Sequence, residues 1–190
     1  MSEVEVPQVE ELEEHKVSRF SKKVALMAAI YVVILAITSV TGHKAMKEML
    51  INHQKATNEW GYFQAKNQRQ HMYIMQKQMV EALLLERKDT MNAAALKNYE
   101  SILKQAEDTE RRYEAEKEDI KHKAELYQET SAHYHHIDTY FEFAEVIIQI
   151  SVVLASVAIL AESMAVFAAS KVFAAIGACI TSYAFYLFLT

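Results

Sequence analysis

Three side chains with metal-ligating atoms would share one face of a helix: Glu129, His133 and His136, at i, i+4 and i+7. A carboxylate with two imidazoles is a donor set that zinc or iron accepts. The line of Tyr127, Tyr134 and Phe141 runs beside this trio rather than through it, so water reaches the imidazoles. The plainer expectation is a solvated histidine cluster with no metal, and the three residues stay candidates only. Histidine is also the residue type suited to proton sensing, a softer use of the stretch that holds His133, His135 and His136. A second set is Glu145 and Gln149, one turn apart in an apolar run, where polar groups face a partner helix or a water path. Lys171 lies in a later apolar stretch and is placed to pair with Glu162.

Other chemistries find no support. Cys179, the single cysteine, sits in an apolar run that keeps a thiol protonated and unreactive. Serines and histidines are plentiful, but nothing fixes them in a triad. Gly42, Gly61 and Gly177 lie too far apart for a phosphate loop or a dinucleotide fingerprint. With 20 Lys+Arg against 25 Asp+Glu, the net charge of −5 disfavours a broad nucleic-acid face. One proline and three glycines starve any fold built on many tight turns, which excludes sandwiches and barrels. The expectation is a protein that is not an enzyme and carries no cofactor.

The elements that position these residues are of two kinds. Residues 1–22 are a charged tail, with Glu3, Glu5, Glu10, Glu11, Glu13 and Glu14 ahead of Lys16, Arg19 and Lys22. The 17 residues 24–40 then carry no charge. At ~1.5 Å per residue they cover most of a ~30 Å hydrocarbon core. Residues 43–142 hold 15 of the 20 basic and 17 of the 25 acidic residues. From Phe143 onward only Glu145, Glu162 and Lys171 are charged. These boundaries predict transmembrane helices at 23–42, 143–161 and 170–189, with a short connector at 162–169. An acidic stretch before the first run and a poor cleavage site after it favour an uncleaved anchor over a signal peptide.

The charged middle reads as helix throughout. It lacks proline, has Gly61 alone among glycines, and is rich in Ala, Leu, Met, Glu, Lys and Gln. Tyr99, Ala106, Tyr113, Ile120, Tyr127, Tyr134 and Phe141 recur at steps of seven, the spacing of a coiled-coil seam. The companion line of Leu96, Leu103, Ala124 and Ser131 is broken by Glu110, Lys117 and Asp138, which predicts a looser packing than a zipper. Glu107–Arg111, Asp108–Arg112 and Asp119–Lys123 are acid-before-base pairs at i, i+4. In the first half, Met72, Met75, Met79 and Leu83 form a stripe read as core packing. Asp89–Thr90–Met91–Asn92 is the best turn, with Thr90 or Asn92 as a cap. The arms 43–88 and 92–142 would span about 69 and 76 Å as helices. The expected fold is an all-α membrane protein, with three transmembrane helices and a long antiparallel, coiled-coil-like hairpin between the first and second.

The stretch from Ala56 through Asn58, Glu59, Trp60, Gly61, Tyr62 and Phe63 to Lys66, followed by Arg69, Gln70, His71, Met72 and Tyr73, resembles a signature block of an uncharacterised bacterial membrane-protein family, domain of unknown function 4337. Arg112–Tyr113–Glu114–Ala115–Glu116–Lys117, Phe143–Ala144, Gln149–Ile150 and Leu154–Ala155–Ser156 resemble its later blocks. The resemblance covers most of the chain. It implies one early membrane helix, a charged helical middle and two late membrane helices, and brings no activity, substrate or cofactor. It also implies that Trp60 contacts the other arm or a partner. Where the family has a more basic connector, this chain has only Lys171.

Lys16, Arg19, Lys22 and Lys23 precede the first span, while Lys44, Lys47 and Lys55 follow it. This small excess predicts a cytoplasmic N-terminus in a bacterial inner membrane, with the hairpin on the far side. The expected role is a non-enzymatic scaffold that self-associates through its stalk and membrane helices. Its partners would be the lipid bilayer and other copies of itself, with no nucleic acid and no protein partner specified. The alternative is a subunit of an oligomeric channel or transport complex using Glu145, Gln149 and Lys171.

Overall fold

The computed structural model describes residues 9–190, with side chains from Arg19 onward. The first acidic residues of the tail expected at 1–22, and the side chain of Lys16, lie outside the described residues. The chain is all-α: α1 spans Val9–Arg87, α2 spans Ala93–Leu160 and α3 spans Met164–Leu189. Helices this long persist because no proline interrupts them and strong helix formers fill their solvent-facing positions.

Each break between helices has a local cause. After α1 a single 3-10 turn, Lys88–Thr90, tightens the chain, and the Thr90 hydroxyl donates to the Arg87 carbonyl at 3.0 Å. Asn92 then caps α2, its Oδ1 accepting from the Ala95 amide at 2.8 Å. After α2, Glu162 adopts φ 48°, a left-handed conformation that ends a helix. The Ser163 hydroxyl accepts from the Val166 amide at 3.4 Å and starts α3. The connector expected at 162–169 is therefore shorter, because Ser163 nucleates helix at Met164.

The chain divides into two compact units. One is Leu50–Ala132, a helical hairpin. Its contacts run antiparallel: Trp60 meets Gln128, Lys66 meets Glu116, and Lys77 meets Glu107 and Glu110. Ala56, Val80, Ala106, Tyr113 and Ala124 are buried between the arms. The seven-residue line is thus closed within one chain, with Tyr99, Ile120 and Tyr127 half-buried along it. Small residues let the backbones approach, and Tyr113 fills the wider gaps, its ring 5.9 Å from that of Tyr73.

The other unit joins the described residues up to Met49 with His133–Thr190 and is a three-helix bundle. Here α1 and α3 run parallel, since Phe20 meets Phe167 and Thr38 meets Thr181. Helix α2 runs against α3, since Phe141 meets Phe185 and Tyr134 meets Phe188. Gly177 allows the closest approach: a Cβ there would stand 2.5 Å from Ile148 Cγ1. Three helices are long and apolar enough to cross a membrane.

The bundle is packed inside out relative to a soluble core. Leu26, Val33, Val40, Val153, Val157 and Ile176 face outward. Thr38, Ser151, Ser170 and Thr181 are buried alongside Ala155, Ala158, Ala174 and Gly177. In water this arrangement would expose the residues that drive folding. In hydrocarbon it is the expected solution, because small faces pack closely and Ser and Thr hydroxyls find carbonyls on their own helices.

Candidate functional site

Polar residues join the apolar ones in the seam of the hairpin. Gln70 and Lys117 are buried at its centre. The Gln70 amide donates to Glu114 Oε2 at 2.6 Å, and Lys117 Nζ lies 3.1 Å from the same carboxylate. Lys117 also donates to Asn67 Oδ1 at 3.2 Å and lies 5.8 Å from the Phe63 ring centroid. One turn away, Lys66 pairs with Glu116 and lies over the Tyr113 ring. Further along, Lys77 sits 3.7 and 3.6 Å from Glu107 and Glu110. The first arm thus offers Lys66 and Lys77 to a row of glutamates on the second.

The electrostatics follow from these contacts. The hydrogen bond from Gln70, with Lys117 beside it, holds the Glu114 carboxyl below its ordinary value of 4.5. The hydrogen bond from Lys66 does the same for Glu116, against some desolvation. Asp119 raises Lys123 above 10.5 through a hydrogen bond of 2.6 Å. Of the three expected i, i+4 pairs, Asp119–Lys123 forms. Glu107 turns to Lys77 of the opposing arm, and Arg112 pairs with Glu116, one turn further along α2, rather than with Asp108.

Two grooves open on the hairpin. One, of about 600 Å³, is lined by Arg69, Met72, Tyr73, Gln76 and Tyr113. The other, about 450 Å³, is lined by Trp60, Glu125, Gln128, Glu129 and Ala132. Trp60 fastens the arms, its Nε1 donating to Gln128 Oε1 at 3.3 Å and its ring packed edge-on against Phe63. That is the contact with the other arm which the resemblance implied.

The Met stripe corrects an expectation. Met72, Met75 and Met79 are each 69% exposed rather than packed in the core. The face of α1 that meets α2 is the one carrying Phe63, Asn67, Gln70 and Lys77, and the methionines lie on the opposite side. Polar residues won the seam because they find exact partners on α2, which hydropathy spacing alone does not register.

In the bundle, the Thr38 and Thr181 hydroxyls lie 3.1 Å apart, joining α1 to α3. Each hydroxyl has one proton, so one gives it to the other while the second gives its own to a carbonyl of its helix, Ile34 at 2.9 Å from Thr38 or Gly177 at 2.9 Å from Thr181. Ser151 and Ser170 bond back to Ile147 and Phe167. Tyr31 is 3% exposed, and its hydroxyl is the buried side-chain atom left without a partner among the described residues. A phenol oxygen is too far from its own backbone for the back-bond that satisfies Ser and Thr.

Other expected residues are placed as follows. Glu129, His133 and His136 are exposed, and among the described residues no group of three His, Cys, Asp or Glu could hold a metal. Gln149 donates to Glu145 Oε1 at 3.3 Å on an exposed face. Lys171 forms no ion pair with Glu162 and lies 4.6 Å from the Phe167 ring centroid instead. Tyr134 is half-buried and Phe141 fully buried, both among the aromatic residues of α3. One buried acid was read only as a break in the companion line: Asp138, raised above 3.8 by burial first and then by Glu142, while His135 and His43 pull it down.

A family model described as a domain of unknown function, DUF4337, matches residues 20–187. No curated protein and no solved structure matches the chain.

Proposed function

The chain belongs to the DUF4337 family, and from that premise we propose that it is a non-enzymatic integral membrane protein that self-associates, with a scaffold or structural role. The observation that carries the membrane part is the bundle's outward face of large apolar residues, over an interior where Thr38, Ser151, Ser170 and Thr181 are buried beside small residues and Ile148. The hairpin supports a stalk in water, since charge pairs and amide hydrogen bonds join its arms beside the apolar contacts. The small excess of basic residues ahead of the first span supports a cytoplasmic N-terminus in a bacterial inner membrane. Self-association would use the stalk and the small-residue faces of the membrane helices.

Mass measurement of the full chain in detergent or lipid nanodiscs tests this. A discrete oligomer supports it, and a monomer at all protein-to-lipid ratios overturns it. The channel reading draws on the exposed Glu145–Gln149 pair, which an oligomer could turn toward a shared path. Conductance in reconstituted bilayers that Glu145→Gln alters would favour that reading over a scaffold.

A further inference from the structure

The face of α1 turned away from α2 carries its own seven-residue pattern. Ala65, Gln68, Met72, Met75, Met79 and Ala82 are spaced by alternating steps of three and four, and all six are exposed. Gly61 continues the line toward the N-terminus, and a Cβ there would meet nothing within 4 Å. A helix that presents such seams on two opposite faces is built to touch two helices. Only one is supplied by this chain.

Charge is absent from the second seam. Lys66 and Lys77 are drawn to glutamates of α2, leaving Arg69 and Glu81 as the charged residues nearest the stripe. The flanking positions are Gln64, Arg69, His71, Gln76 and Gln78. Against an identical helix in register, Gln64 would face Arg69 and His71 would face Gln76, so no like charges meet. The groove of about 600 Å³ beside Met72 gives a flexible thioether from such a neighbour a place to seat.

The size of the stripe selects the partner. From 61 to 82 it runs about 32 Å, and at roughly 10 Å wide it offers on the order of 300 Å². That is well short of the ~800 Å² per partner of a stable interface between freely diffusing proteins. A partner already confined alongside has its encounter made effectively intramolecular and needs far less contact. We propose that the outer face of α1, from Ala65 to Ala82, docks a second copy of this chain held in the same bilayer, helix α1 against α1, parallel and in register. The parallel sense follows from two copies inserted with the same orientation. This rests on the membrane-anchored, self-associating reading above.

The test uses the full-length chain with Cys179→Ala, in liposomes and in native membranes, under mild oxidation. In an in-register pair Met75 meets Met75 and Ala65 meets Ala65, so Met75→Cys and Ala65→Cys each form a disulfide-linked dimer. Glu118→Cys, exposed on the other arm, serves as control and gives about tenfold less. The triple variant Met72→Glu, Met75→Glu, Met79→Glu loses the dimer while its helical circular dichroism is unchanged, since each of these side chains is 69% exposed. If the chain is oligomeric by mass yet neither cysteine cross-links, the seam is wrong and the self-association reading stands. A monomer by mass removes both. Cross-linking of Ala65→Cys only to Ala82→Cys makes the pair antiparallel and overturns the proposal. An adduct of another mass in native membranes overturns it in favour of a different protein.

Discussion

The hairpin and the bundle solve helix packing in opposite ways. In the hairpin, Lys66, Gln70, Lys77 and Lys117 fill the seam and find partners on α2, while three methionines stand in solvent. In the bundle, Ala, Gly, Ser and Thr are buried beside Val24, Ile137, Phe141 and Ile148, and many branched aliphatic residues face out. The difference teaches which solvent each unit is built for. Water rewards partners across a polar seam only modestly, so specificity comes from exact pairing. Hydrocarbon gives no reward for burying aliphatic residues, so close approach of small faces has to hold the helices together.

The sharpest way to break the comparison is to enlarge a small residue in the bundle. Gly177→Val puts methyl groups where Ile148 Cγ1 already leaves 2.5 Å for a Cβ. It should cost about 3 kcal/mol or more by overpacking, read as a lower unfolding midpoint in detergent. Tyr31→Phe works the other way. Removing the orphaned hydroxyl should stabilise the bundle by about 1–2 kcal/mol in the same assay. Loss of stability would mean that the hydroxyl has a partner such as a buried water. Gly61→Ala is the hairpin counterpart of the glycine experiment. With open space at its Cβ, it should gain ~0.5–1 kcal/mol of helix stability, opposite in sign to Gly177→Val.

Acid separates the units with the smallest effect. Glu114 and Glu116 have folded values below 4.5, so their contribution is present above that pH and fades as pH falls through their folded values. Asp138 has the reverse sign. Its folded value is raised above 3.8, so its ionisation costs stability as pH rises from there through the raised value. Between pH 6 and pH 3, hydrogen exchange corrected for intrinsic rate should quicken in the hairpin around Glu114. Around Asp138 it should slow. A parallel response in both regions would show that these contacts do not govern local stability.

Particular residues show how much was legible beforehand. The charge-free runs announced three apolar helices because the thickness of a bilayer sets a length that composition must meet. The step-of-seven line from Tyr99 to Phe141 marked the inner face of α2, because α2 needs one continuous face to pack. Asn92 was legible as a cap, since its side chain acts within one turn. Met72, Met75 and Met79 were misread, because spacing gives a face without telling which neighbour it meets. Lys117 and Asp138 looked like breaks in a seam and are buried members of it. For Lys117 the missing information was long-range: Asn67 stands 50 positions away in sequence.

Sequence alone determined the helical class, the apolar spans and the place of the turn between the arms, since propensity, length and capping are local properties. The particular partners across the arms, the outward methionines, the Thr38–Thr181 contact and the unpartnered Tyr31 hydroxyl were decided only by the tertiary structure. Each depends on which faces meet, and that is settled by the joint fit of side chains far apart in the chain.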